Sequence, residues 1–191
     1  KTTFANWTAY ELFSQGYRVF LSQEPFGAIG AFVRSHLLIR SPDQISPLSQ
    51  LFLFEASRAE HVRFLRSQGA DEADFIILDR SVDSTLAYQG YGLGLDIDLV
   101  ESLNRMSSAE FWPSKTFLLD LEPQSAAQRI LHRHEGNAWD MGQGLFLTAV
   151  REGFLRIAEN NPDRVIVLNA LDSQEIIRER IRQEFRSHGR L

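Results

Sequence analysis

The sequence holds no cysteine. Disulfides and thiolate-bound metals are therefore excluded, and a reducing compartment, the cytoplasm, is the expectation. Long apolar runs are also lacking: none approaches the roughly 20 residues that a membrane helix needs, so no membrane partner is expected. Excess charge is modest, at −5 over 191 residues, which leaves no global basic field to recruit nucleic acid. There is no repeat, low-complexity tract or linker. With 43% hydrophobic and 24% charged residues, the chain reads as one globular domain over 1–191.

Four short apolar stretches are present: YRVFL (17–21), DFIIL (74–78), TFLLDL (116–121) and RVIVLN (164–169). Their β-branched and aromatic content predicts buried strands. Helical patterns fill the intervals, at 1–15, about 31–39, 50–67, 96–108, 123–134, 144–160 and 172–186. Phe4, Trp7, Leu12 and Phe13 are core candidates in the first helix, and Leu51, Phe52 and Leu53 in the long third one. Strands alternating with helices predict a parallel sheet covered on both faces. Ligands of such sheets sit beyond the carboxyl ends of the strands. That places 22–27, 79–80, 122–123 and 169–170 on one functional rim.

Two features bear on that rim. The chain opens KTT and runs into a helix. In a phosphate-binding loop, GxxxxGK[ST], the Lys-Ser/Thr pair opens a helix in this way; by itself KTT reads as an ordinary helix start. A phosphate loop also needs preceding glycines, and a strand before them. Four strands without that central member would leave two ladders unpaired in the interior, which is costly. The expectation is a natural start roughly 10–20 residues upstream, supplying that strand and loop. The second feature is DRSVDSTLAYQG (79–90), an Asp-Arg pair directly after an apolar strand and then Ser84, Thr85, Tyr88 and Gln89 at helical spacing. Phe54 and Arg58, four apart, share a helix face; on spacing alone they read as a core ring beside a surface guanidinium. His36, His61, His132, His134 and His188 show no metal-ligand spacing.

LSQEPFGAIGAFVRSHLL, LFLFEASRAEHV, DRSVDSTLAYQGYGLGLD and VREGFLRIAENNPDRVIVLNA occur in that order. Together they resemble the thymidylate kinase family over nearly the whole chain. The resemblance implies a three-layer α/β P-loop NTPase fold. Its parallel sheet would have five strands, the central first strand lying outside this chain, with flanking helices and a short lid at about 133–145. It implies transfer of the γ-phosphoryl of ATP to dTMP, with Mg²⁺, by a homodimer. Alternatives are a related kinase with another nucleoside monophosphate acceptor, or a catalytically impaired nucleotide-binding homologue.

By resemblance, Lys1, Arg80 and Arg133 are catalytic. Lys1, Thr2, Thr3, Arg129 and Arg133 bind ATP and its phosphates, and Thr2 and Asp79 face Mg²⁺. Glu24, Pro25, Arg34, Phe54, Arg58, Arg80, Thr85, Tyr88 and Gln89 bind dTMP. Phe54 would stack on the base, Arg58 would donate to its carbonyl, Arg80 would hold the acceptor phosphate, and Tyr88 would exclude a 2′-hydroxyl. Two departures stand out. The family's Arg-Glu-Pro-Gly-Gly reads Gln23-Glu24-Pro25-Phe26-Gly27, with Arg34 placed to compensate in part for the lost arginine. The lid's Asp-Arg-x-Glu reads Asn137-Ala138-Trp139-Asp140.

Overall fold

The computed structural model describes residues 1–37, 44–122 and 144–187. Helix α1 is Thr2–Ser14 and strand β1 Val19–Gln23; α2 (Gly27–Phe32) runs into a π-helical turn, Val33–Leu37. Helix α3 is Pro47–Ser67 and β2 Phe75–Asp79, while α4 (Val82–Thr85) continues as a π-helical stretch, Leu86–Gly92. Then follow α5 (Ile97–Ser108), β3 (Thr116–Asp120), α6 (Gly144–Asn160), β4 (Val165–Asn169) and α7 (Gln174–Ser187).

Local chemistry sets several boundaries. Ser46 caps α3 by accepting the Ser49 N–H, with Pro47 at the first helical position. Gly69, at φ 69°, carries the chain away from the end of α3 in a conformation that glycine adopts at low cost. Asp96 caps α5 by accepting the Leu99 N–H at 2.8 Å.

The strands form two parallel pairs. β1 lies against β2 with Gln23 opposite Asp79, and β3 lies against β4 with Asp120 opposite Asn169. Among the described residues β2 and β3 each pair on one side only, and both are half-buried along their whole length. Alternation along β3 and β4 shows how the layers are built. Phe117, Leu119, Ile166 and Leu168 face α1 and α7, packing with Phe4, Trp7, Ile177 and Ile181. Leu118 and Val165 face the opposite layer, where Ala87 meets Val150 and Ile157 of α6. Successive side chains of a strand point to opposite faces, so one pair of strands serves two cores.

Helical periodicity corrects two expected core residues. Phe13 is 68% exposed because α1 buries the stripe Thr8, Ala9 and Leu12. Phe52 is 54% exposed because α3 buries Leu51, Glu55, Arg58, Val62 and Leu65, spaced by three and four. That same stripe buries Arg58, where spacing alone placed a surface guanidinium.

Candidate active site

Asp79 ends β2 and Thr2 opens α1, and the two meet: the Thr2 hydroxyl donates to Asp79 Oδ2 at 2.5 Å. This pair lies on a cleft of about 420 Å³ that is also lined by Asn6, Gln23, Pro25 and Arg34. Arg34 projects from the π-helical turn after α2, and among the described residues no acceptor engages its guanidinium. Lys1 is exposed at the start of α1, its carbonyl accepting from Phe4 and Ala5. Thr3 is exposed in the same turn. A hydroxyl and a carboxylate oxygen are hard donors that suit Mg²⁺, an ion that keeps water and substrate oxygens as its other ligands. Among the described residues no cluster of three or more acidic or imidazole groups offers a full protein cage.

The loop after β1 forms one wall. The Glu24–Pro25 peptide is cis. Gly30 lets α2 approach this wall: a Cβ there would stand 2.5 Å from the Pro25 carbonyl carbon. Ser57 of α3 clasps Phe26, accepting its N–H at 2.7 Å and donating to its carbonyl at 3.0 Å.

Behind this wall lies a buried charge network. The Arg58 side chain is 2% exposed. Its Nε donates to Glu24 Oε2 at 3.0 Å, and Nη2 lies 2.9 Å from the same oxygen. Nη1 donates to Glu55 and Asn104 at 2.7 and 2.5 Å, and Nη2 to Thr85 at 2.7 Å. These contacts match the five N–H donors of a guanidinium. Burial favours protonation of Glu24, but the Arg58 charge and the hydrogen bonds from His61 and Arg58 outweigh it and hold the carboxyl below its ordinary range. Glu55 goes the other way: burial pushes it up, and Arg58 and Ser107 only partly oppose this. Its Oε1 is buried with no partner among the described residues.

Of the remaining predicted acceptor residues, none of Phe54, Arg58, Tyr88 and Gln89 lines the cleft itself. Phe54 and Tyr88 pack against Val33 and Leu37, which flank Arg34 in sequence. Arg80, at φ 71°, places its guanidinium 5.5 Å from the centre of the Tyr88 ring. Gln89 is 1% exposed, and its Nε2 is a buried donor with no partner among the described residues. Arg129, Arg133, His132, His134 and the altered lid residues 137–140 lie outside the described residues, as does most of the predicted lid. Gly144 and Leu145, its last two positions, open α6.

Several groups escaped the sequence reading. Asp120 ends β3 as Asp79 ends β2, and Arg151 of α6 grips it through two bonds of 2.7 and 2.9 Å. Arg151 also reaches Glu122 at 2.8 Å. Its hydrogen bonds hold the Asp120 carboxyl below the usual range. A carboxylate closing an apolar strand was the available signal. Asp83 is tied to Arg164 at 2.7 and 2.9 Å and to Thr116 at 2.7 Å, a structural link between α4 and the starts of β3 and β4.

A hydroxyl–carboxylate pair at a helix start, a guanidinium that no acceptor among the described residues engages, and parallel strands with helices on both faces fit a protein that handles phosphate esters on an α/β scaffold. The thymidylate kinase profile matches residues 1–181, and the chain belongs to that family. A curated thymidylate kinase of Nitratidesulfovibrio vulgaris is 35% identical over 195 residues, covering 98% of this chain and 91% of the relative. One from Chlorobaculum tepidum is 37% identical over 181 residues, covering 87% and 82%. The crystal structure of thymidylate kinase from Ehrlichia chaffeensis superposes with a TM-score of 0.72 at 30% identity, covering 96% of this chain and 91% of that one. The fold is therefore that of the P-loop nucleoside monophosphate kinases.

Proposed function

We propose that this chain transfers the γ-phosphoryl group of ATP to dTMP, with the cleft beside Asp79 holding the acceptor phosphate. The observation that carries this reading is Arg34. It lines the same cleft as Thr2 and Asp79, and no acceptor among the described residues engages it. A planar guanidinium matches a phosphate's paired oxygens, and a charge-assisted bond is the stronger kind. Lys1 meets the donor phosphates at the start of α1, with Thr3 alongside. Thr2 and Asp79 would hold Mg²⁺, which would supply neutralising charge at the phosphates. Arg80 completes the acceptor side, and Arg129 and Arg133 neutralise charge on the group in transfer. The chain's part is to position two substrates in line and exclude water; no covalent intermediate with the protein is needed.

The base is read on the far side of the π-helical turn. Phe54 supplies a flat face, Tyr88 crowds the sugar and Gln89 Nε2 offers its open N–H to a base carbonyl. A buried donor without an acceptor is costly, and a bound pyrimidine relieves that cost. Arg58 is directed inward; it borders the base site by fixing Glu24 and Thr85. We place the chain as a single nucleotide-kinase domain acting in the cytoplasm as a homodimer. Leu48 and Phe52, 42% and 54% exposed on α3, belong to the apolar face that a partner would cover. Among the described residues no helix is long and apolar enough to cross a membrane.

The test is ADP release by full-length protein with a panel of nucleoside monophosphates, before and after Arg34→Ala. We expect dTMP to be preferred. Arg34→Ala should raise its KM by roughly 10- to 100-fold, from a lost charged hydrogen bond of about 1.5–3 kcal/mol, with the KM for ATP within about two-fold. An unchanged KM for dTMP would remove Arg34 from the acceptor site.

A further inference from the structure

We propose that His61 is a positioning residue for the acceptor side of the reaction, setting the loop wall that lines the cleft; this rests on the acceptor reading of that cleft. His61 lies in the middle of α3 and is 1% exposed. It touches three alternate residues of the chain leaving β1. Nε2 lies 2.7 Å from the Ser22 hydroxyl, and Nδ1 lies 3.4 Å from Glu24 Oε1. The ring stacks on Phe26, centroids 4.5 Å apart and planes 17° apart.

This periodicity is what gives the imidazole its reach. Residues 22, 24 and 26 form a first set, the alternate positions that reach α3. The α3 side holds the first set: His61 takes all three, Arg58 adds the other oxygen of Glu24, and Ser57 clasps the backbone of Phe26. Ser22 and Phe26, which His61 holds, line the cleft together with Gln23 and Pro25, so the imidazole grips part of the wall itself. An aliphatic side chain would fill the same volume. Only a ring with a nitrogen at each end bridges a strand hydroxyl and a loop carboxylate together. With the proton on Nδ1, His61 donates to Glu24 and accepts from Ser22. Phe26 makes the arrangement particular to this chain, because a glycine at that position could not stack. Small errors in placing a phosphate-binding wall are costly in rate.

The experiment compares His61→Leu, His61→Gln and His61→Asn in full-length protein, with Arg34→Ala as control. Folded fraction is measured by circular dichroism, and KM for dTMP and for ATP are determined separately. His61→Leu should raise the KM for dTMP about ten-fold, from two lost hydrogen bonds, and leave that for ATP within about two-fold. His61→Gln, whose amide reaches the Nε2 position, or His61→Asn, which reaches that of Nδ1, should recover about three-fold of it. Equal changes in both KM values, or a fall in kcat that only tracks the folded fraction, would overturn the proposal. Should His61→Leu not fold, Ser22→Ala removes the Nε2 partner from outside the core. It should raise the KM for dTMP about three-fold, and no change would overturn the proposal equally. If Arg34→Ala leaves the KM for dTMP unmoved, the cleft reading itself fails. If Arg34→Ala raises it and His61→Leu does not, the His61 inference alone is lost.

Discussion

Replacing Glu24 and Glu55 by glutamine, one at a time, should cost very different amounts although both flank the same guanidinium. Glu24 Oε2 receives Arg58 Nε at 3.0 Å and lies 2.9 Å from Nη2, with the two side chains 9% and 2% exposed. Removing one partner of a buried pair leaves the other charge uncompensated, a cost of about 3–5 kcal/mol. Glu55 meets Arg58 at 2.7 Å and Ser107, but one of its oxygens is buried with no partner among the described residues, and burial raises its pKa. An amide keeps an acceptor oxygen there and removes an unfavourable buried charge. The cost of Glu55→Gln should be about 1 kcal/mol or less. At about 2–4 °C per kcal/mol for a domain of this size, Glu24→Gln should melt roughly 6–20 °C lower and Glu55→Gln within a few degrees of the parent. The pH dependence also differs in sign. A carboxyl raised on folding contributes stability that is present at low pH and is lost as pH rises through its folded value. Glu55→Gln abolishes that loss, so it should gain on the parent as pH rises. Glu24, lowered on folding, contributes stability that is present above its unfolded value and is lost as pH falls through its folded one. Thermal unfolding by circular dichroism reads the Glu55 effect between about pH 5 and 8 and the Glu24 effect below about pH 4.5. Equal losses for the two variants, or a Glu55→Gln deficit that grows with pH, would refute this account of the network.

Asp79→Asn keeps an acceptor for the Thr2 hydroxyl but removes the charge, and should weaken apparent Mg²⁺ affinity by about 10- to 100-fold in a Mg²⁺ titration of turnover. Gly30→Ala sets a methyl group 2.5 Å from the Pro25 carbonyl carbon. Backbone must shift there, and a loss of about 1–3 kcal/mol in urea unfolding should come with a raised KM for dTMP.

The layered α/β design was legible because apolar runs such as FIIL and VIVL carry strand chemistry in four letters, with amphipathic helices between them. The strand limits were less so. The segment read as 17–21 runs Val19–Gln23, because pairing with Phe75–Asp79 sets its ends, and pairing is a property of two segments. The meeting of Thr2 with Asp79 was anticipated only through family resemblance; nothing local links residues 77 positions apart. Arg58 shows the opposite limit. Spacing put it on a helix face with Phe54, but its burial depends on Glu24, Thr85 and Asn104 arriving from three other segments. His61 had no legible role, since its partners Ser22 and Glu24 alternate on a distant strand end.

A neutral glutamine at position 23 has a physical consequence that the ladder makes plain. Gln23 and Asp79 are partners in the β1–β2 register, so their side chains stand on neighbouring strands at the same level. An arginine at 23 would stand within reach of the Asp79 carboxylate and compete with Thr2 for it. A neutral amide leaves Asp79 paired to Thr2 at 2.5 Å, oriented as a hard oxygen donor. In the proposed reading the positive charge for the acceptor phosphate would come from Arg34, on a helical turn outside that ladder and with no carboxylate partner among the described residues. With the cation on the helical turn rather than at the strand end, the two proposed jobs would stay apart in one cleft: an anionic corner for metal, and a cationic one for phosphate. At a few ångströms' separation opposite charges would otherwise neutralise each other before either met its ligand.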